Sequence, residues 1–155
     1  MHRPYPCLWF DTRAEEAANF YLTVFKKSKI NNVVLYGDSG PGPKDSVMVV
    51  FFELNGEQFL ALNGGSQYPH SPAVSFVVGC DTQEEIDHYW SRLGDGGTEL
   101  MCGWLTDRFG ISWQIVPSKT AEWLSRDAAT TERVMVAINT MVKIDLAAMQ
   151  RAVER

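Results

Sequence analysis

The most unusual stretch of the chain is Cys102-Gly103-Trp104-Leu105-Thr106-Asp107-Arg108-Phe109-Gly110-Ile111-Ser112-Trp113-Gln114-Ile115-Val116-Pro117, which carries a thiol, a carboxylate beside a guanidinium, and an amide at mid-strand. Cys102 has the chemistry of a nucleophile, but a reactive thiolate needs a His or a cation beside it. The sequence identifies no such neighbour, and a free Cys otherwise packs as a small hydrophobe. Asp107 and Arg108 have the types of an acid/base pair, yet Asp107 to Gly110 reads as a turn. Strand alternation over Ile111 to Val116 places Ile111, Trp113 and Ile115 toward helices, and Ser112, Gln114 and Val116 toward the inside of a curved sheet. An unpaired buried amide costs a few kcal/mol, so Gln114 requires a partner, and a ligand or a metal-bound water would serve. The same segment also reads as a plain β-hairpin with Trp104, Trp113 and Ile115 in the core. Of the other reactive types, His2 is terminal, His70 falls in a loop, His88 lies mid-helix, and Cys7 and Cys80 sit in strand-like runs.

The elements that position these residues come in a doubled pattern. Asp11-Thr12-Arg13-Ala14-Glu15-Glu16 through Phe20-Tyr21 recurs about 70 residues later as Asp81-Thr82-Gln83-Glu84-Glu85 through Tyr89-Trp90, offset by one residue. Each copy follows an apolar run, Leu8-Trp9-Phe10 or Val74 to Val78. Thr12 with Glu15, and Thr82 with Glu85, stand in the T-x-x-E spacing of a capping box. The spacing predicts one helix to about Phe25 and another to about Leu93. Strands are predicted over Asn31–Gly37, Ser46–Leu54, Glu57–Asn63, Glu99–Leu105 and Ile111–Val116, with a hairpin at Asn55-Gly56. The Gly/Pro loop 37–45 is read as a gate over a cleft, with Tyr68-Pro69-His70 as its rim. Each half therefore reads βαβββ, and the fold class is α+β: two such modules forming a curved mixed sheet with a cleft, plus C-terminal helices. The modules span about 1–66 and 67–118. The tail, 119–155, carries a stripe of Val134, Ile138, Met141 and Val142, then Ile144-Asp145 as a helix start with Leu146, Met149 and Val153 on one face. Such a tail must cover the domain or pair with a second chain.

Composition removes several classes of function. The 155 residues are 45% apolar and 12% aromatic, enough for one compact domain that buries roughly two-thirds of its unfolded surface. With 14 basic against 19 acidic side chains the formal charge is −5, which leaves no electrostatic footprint for nucleic acid. No apolar run approaches the ~18 residues of a membrane span. The N-terminal residues lack the apolar core of a signal peptide, and three cysteines without CxxC spacing suit free thiols. A cytoplasmic protein is expected.

The doubled βαβββ pattern is similar to the vicinal oxygen chelate superfamily, which contains glyoxalase I, extradiol dioxygenases and bleomycin-resistance proteins. Phe59-Leu60-Ala61-Leu62-Asn63-Gly64-Gly65, the Cys102–Pro117 segment and Val142-Lys143-Ile144-Asp145 resemble its PhnB-like branch, and the resemblance runs from Pro6 to about Glu154. That branch often carries the label 3-demethylubiquinone-9 3-methyltransferase, although the chain has no glycine-rich strand-to-helix turn of a doubly wound methyltransferase. The resemblance implies a divalent metal held by His, Gln and Glu from the first and last strands of each module. The repeat places those positions near Pro6 or Cys7, near Leu62 or Asn63, at about Ser75, and at Gln114. Neutral side chains are weak ligands for hard cations, so a metal is disfavoured and no cofactor is firmly implied. The resemblance then implies a small-molecule-binding protein for an apolar or aromatic ligand, with Trp9, Phe59, Asn63, Ser75, Trp104 and Gln114 at the site, and a homodimer. A metal-dependent or Cys102-dependent enzyme is the alternative reading, and an interaction role for the tail is a third.

Overall fold

Alternating burial builds the first strands. In the computed structural model, which describes residues 3–154, the strand β1 (Cys7–Phe10) buries Leu8 and Phe10 and leaves Cys7 exposed. It leads to the helix α1 (Ala14–Val24), then to strands β2 (Lys29–Leu35), β3 (Val47–Leu54) and β4 (Glu57–Asn63). They form a four-stranded sheet of order β1-β4-β3-β2, with β1 parallel to β4 and the other neighbours antiparallel. Small residues let α1 lie close: Ala14, Ala17 and Ala18 are fully buried with Tyr21 and Val24. Tyr21 stacks on Phe52, and Phe52 stacks on Phe59 at 5.4 Å. Asn55 and Gly56 both adopt positive φ, the two-residue hairpin that their types predict.

The second half repeats this topology in a sheet of its own. Strands β5 (Ser75–Cys80), β6 (Thr98–Glu99), β7 (Trp104–Thr106) and β8 (Ser112–Pro117) take the order β5-β8-β7-β6, and the helix α2 (Gln83–Gly94) follows β5. The α+β class and the doubled βαβββ layout hold, as two four-stranded mixed sheets. The chain divides into two compact units, Met1–His70 and Ser71–Arg155. In the second unit α2 buries Ile86, Trp90 and Leu93, while Leu105, Trp113 and Ile115 are buried in the sheet.

Only the second capping box forms. Glu85 N donates to Thr82 Oγ1 at 3.2 Å, and Asp81 N donates to Glu85 Oε2 at 2.7 Å. In the first copy the extra residue moves the helix start: Arg13 is the N-cap, with no side-chain cap bond. Thr12 therefore lies one position too early. Asn63, at the end of β4, takes over the task, and its Oδ1 accepts from Ala14 N at 2.8 Å.

A continuous strand over Glu99–Leu105 is also corrected. Cys102 (φ 64°) and Gly103 (φ 77°) are both left-handed, so the chain reverses there between β6 and β7. The next turn is built on a buried carboxylate. Asp107 is 3% exposed, and it accepts from Phe109 N (2.8 Å), Ile111 N (3.0 Å) and Trp113 Nε1 (2.8 Å). Asp107 and Arg108 thus make a turn rather than an acid/base pair, with Arg108 paired to Asp95.

The tail packs on the second unit as α3 (Thr120–Leu124), α4 (Ala128–Ile138) and α5 (Leu146–Glu154). α4 ends at Ile138, so Met141 and Val142 do not extend its stripe. Their carbonyls instead accept from Cys102 N (2.7 Å) and Gly103 N (2.8 Å). Gln83 in α2 donates to Ile144 O at 3.1 Å and accepts from Leu146 N at 2.9 Å. Lys143 pairs with Asp87 at 2.6 Å, and that partner together with Gln83 holds the Asp87 carboxyl below its ordinary range. No described helix is long and apolar enough to cross a membrane.

Two stability predictions follow from these turns. A Cβ at Gly103 would stand 2.6 Å from the Ile115 carbonyl oxygen and 2.8 Å from Ile144 Cγ1, whereas one at Gly56 meets nothing within 4 Å. Both glycines are left-handed, so Gly56→Ala should cost only the ~1–2 kcal/mol of that conformation. Gly103→Ala adds overpacking and should cost about 3 kcal/mol or more in urea unfolding. Equal costs would contradict the packing. Asp107→Ala should lose about 3 kcal/mol or more, because it strands several buried donors, and a loss below about 1 kcal/mol would show that the turn does not depend on them.

Candidate functional site

In the second unit α2 packs against β5, β7 and β8, and the sheet's other face carries a polar cluster. Val77, Gln114 and Trp104 stand in register across β5, β8 and β7, and Ser75, Ser112 and Thr106 form the adjacent row. Residues opposite one another, or two apart along a strand, share a face, so these six side chains lie together. Leu105, Trp113 and Ile115 occupy the other face, where Leu105 lies against Gly94 of α2. Gln114 Nε2 donates to Ser75 Oγ at 2.8 Å. The Ser112 hydroxyl is 2% exposed and has no hydrogen-bond partner. Val77 is 63% exposed, and Trp104 and Gln114 are half-buried. A polar cluster holding one unmet hydroxyl is thus flanked by an indole and an isopropyl group. Strand alternation had already put Ser112 on the face of Gln114; nothing in the sequence marked its hydroxyl as unpaired, because that depends on the neighbours.

Trp9, Phe59 and Asn63 belong to the first unit, and the structure does not place them on one face. Trp9 stands in register with Leu62 and Val49 on the side away from α1. Its Nε1 donates to Gly65 O at 2.7 Å, and its ring meets Tyr68 edge-on at 5.0 Å. Gly64 is required here, since a Cβ would fall 2.2 Å from the indole. Phe59 is in the α1-facing core, stacked on Phe52. Asn63 is opposite Phe10 and fully engaged: Oδ1 accepts from Ala14 N, Nδ2 donates to Val47 O at 3.0 Å, and its carbonyl accepts from the Tyr36 hydroxyl. Tyr36, which the sequence reading passed over, organises the loop expected to act as a gate. Tyr36 N donates to Ser46 O, Asp45 N donates to Tyr36 O, and the chain passes so close at Gly40 and Gly42 that a Cβ at either would overlap the Tyr36 ring. The loop is folded onto that ring.

The remaining reactive groups are held in quiet settings. Cys102 Sγ lies 3.4 Å from Asn139 Oδ1, a neutral partner. Burial, with help from Glu85 and Asp81, pushes the Cys80 thiol up to about 12, and burial also raises Cys7. The ring of His70 meets Phe10 edge-on at 5.4 Å, and its Nε2 is buried without a hydrogen-bond partner. His88 packs against Tyr89 on α2, and His2 lies outside the described residues. Among the described residues no group of three or more His, Cys, Asp or Glu could hold a metal ion. Asn63, Ser75 and Gln114 do not fit a divalent cation either: they carry no charge, the Asn63 oxygen already caps α1, and Ser75 already accepts from Gln114.

Comparison with known proteins agrees with this fold. The solved structure of a PhnB protein from Bacillus cereus is 34% identical with a TM-score of 0.68, and the match covers 75% of this chain and 98% of that one. Protein PA1353 from Pseudomonas aeruginosa is 23% identical at a TM-score of 0.62, over 76% and 97% of the two chains. The fosfomycin resistance protein FosX from Listeria monocytogenes, solved with Mn(II) and sulfate, shares the fold at 14% identity and a TM-score of 0.55, over 81% of this chain and 96% of that one. No curated protein matches the sequence. The family model described as 3-demethylubiquinone-9 3-methyltransferase matches residues 3–116, so the tail lies beyond it. The chain belongs to that family, the PhnB-like proteins.

Proposed function

We propose that the protein binds a small organic molecule, apolar or aromatic in part, on the face of the second unit's sheet opposite α2, without a divalent metal at Asn63, Ser75 or Gln114. The observation that carries this reading is the buried, unpaired Ser112 hydroxyl beside the Ser75–Gln114 pair. A buried hydroxyl with no partner costs about 1–3 kcal/mol, which a ligand's polar atom would offset. Trp104 and Val77 supply apolar surface beside it, in the usual pattern of a small-molecule site: a few placed polar groups among apolar walls. Mn(II) in the FosX structure shows that the fold can host a metal, but the neutral, internally bonded side chains here favour an organic ligand. Nothing in the geometry gives Cys102 a base, and the family's methyltransferase label is not the basis of this reading.

The first test is metal binding. After chelator treatment, Mn, Ni or Zn should move the melting temperature by less than about 1 °C, because a ligand that does not bind the native state does not stabilise it. Stoichiometric metal in the purified protein, or a shift of several degrees, would overturn the metal-free reading. The second test uses Ser112→Ala with 4-hydroxyacetophenone as the probe. Removing an unpaired hydroxyl should leave the free protein as stable as before, or up to about 1 kcal/mol more so. Probe binding, followed by amide chemical shifts of Val77, Trp104 and Gln114, should weaken by about tenfold, as expected for loss of one good hydrogen bond. A destabilised variant with unchanged binding would show that the hydroxyl serves the fold instead.

A further inference from the structure

The pair Asn-Gly occurs twice in the chain, at Asn55-Gly56 and at Asn63-Gly64. Asparagine is thermolabile, because its side-chain amide can be attacked by the backbone nitrogen of the next residue. Glycine in that next position leaves the nitrogen unshielded, since it has no Cβ. The two pairs meet opposite surroundings.

Asn55 and Gly56 form the exposed turn between β3 and β4, both at positive φ (49° and 89°). The ladder closes at Leu54 and Glu57, so the Gly56 N–H lies outside it. Among the described residues neither that N–H nor the Asn55 side chain has a hydrogen-bond partner. Even a Cβ on Gly56 would meet nothing within 4 Å, so the nitrogen stands in open space. At the second pair both reacting groups are held. Gly64 N donates to Phe10 O at 2.9 Å. Asn63 Oδ1 accepts from Ala14 N at 2.8 Å, and Nδ2 donates to Val47 O at 3.0 Å. Reaction there requires all three hydrogen bonds to open first.

We infer that Asn55 is a site of spontaneous modification, at which the side-chain amide becomes a carboxylate, and that the fold protects Asn63 from the same reaction. The Gly56 nitrogen gives its proton to solvent base and bonds to Asn55 Cγ. The bond from Cγ to Nδ2 breaks, and ammonia leaves with a proton taken from water. Water then opens the cyclic imide at either carbonyl. One opening gives aspartate, the other isoaspartate, and no electrons are exchanged. Isoaspartate lengthens the main chain of a turn that depends on positive φ at both residues, so it loosens the pairing of Leu54 with Glu57. The product marks the β3–β4 hairpin of aged protein.

The test holds the folded, full-length protein at mildly alkaline pH, beside a sample unfolded in guanidinium chloride. Peptide mass spectrometry follows both asparagines, and enzymatic methyl transfer counts isoaspartate. In the folded protein Asn55 should gain the mass of an amide-to-acid change, as a mixture of aspartate and isoaspartate, and faster as pH rises. Asn63 should react roughly thirtyfold or more slowly, the scale of opening three hydrogen bonds. In guanidinium chloride the two should react at similar rates. Asn55→Gln should remove the Asn55 signal and leave Asn63 as slow as before. Equal rates at both sites in the folded protein would overturn the inference. So would a silent Asn55 in the folded protein while both sites react in the unfolded one, or aspartate formed without isoaspartate.

Discussion

α1 covers one face of the first sheet and α2 one face of the second, and a helix covers one face only. This constraint governs the molecule. Leu8, Val50, Ala61 and Tyr21 close the covered face of the first sheet, and Leu105, Trp113, Ile115 and Ile86 close that of the second. The opposite faces still carry apolar groups: Trp9, Leu62 and Val49 in one, Val77 and Trp104 in the other. An apolar sheet face turned away from its helix needs a ligand or another surface to cover it. The second sheet adds a polar cluster in the middle of that face, and the proposed ligand contact rests on it.

Hydrogen-bond commitments then decide which polar groups remain for a ligand. Asn63 looks available in the sequence and is not. Its amide joins the end of β4 to the start of α1 and to β3, and its carbonyl anchors Tyr36. Asp107 is charged and buried but spends its oxygens on its own turn. Gln114 has one partner, Ser75, while Ser112 has none.

The doubled βαβββ layout was legible because strand alternation, helix periodicity and the Asn55-Gly56 turn are local signals. The offset of one residue between the two copies was legible too, but its effect on Thr12 was not. Whether a T-x-x-E run caps a helix depends on where the first turn closes, and here Asn63, 49 residues from Ala14, decided it. The reversal at Cys102-Gly103 was missed because Cys seldom adopts a left-handed conformation; contacts with Met141 and Val142 in the tail hold it there. Ser75, Trp104 and Gln114, expected together at a binding site, lie on one face of the second sheet. Phe59 and Trp9 could not be sorted into core and surface from residue type, since both are large and apolar. An unpaired hydroxyl is a property of its surroundings, so Ser112 emerged only in three dimensions.

A crystal structure of the protein soaked with 4-hydroxyacetophenone would test the central claim most directly. The account predicts a polar atom of the probe within hydrogen-bond distance of Ser112 Oγ, with its ring against Trp104 and Val77. A cation coordinated by Gln114 and Ser75, or a probe bound away from this sheet face, would contradict it.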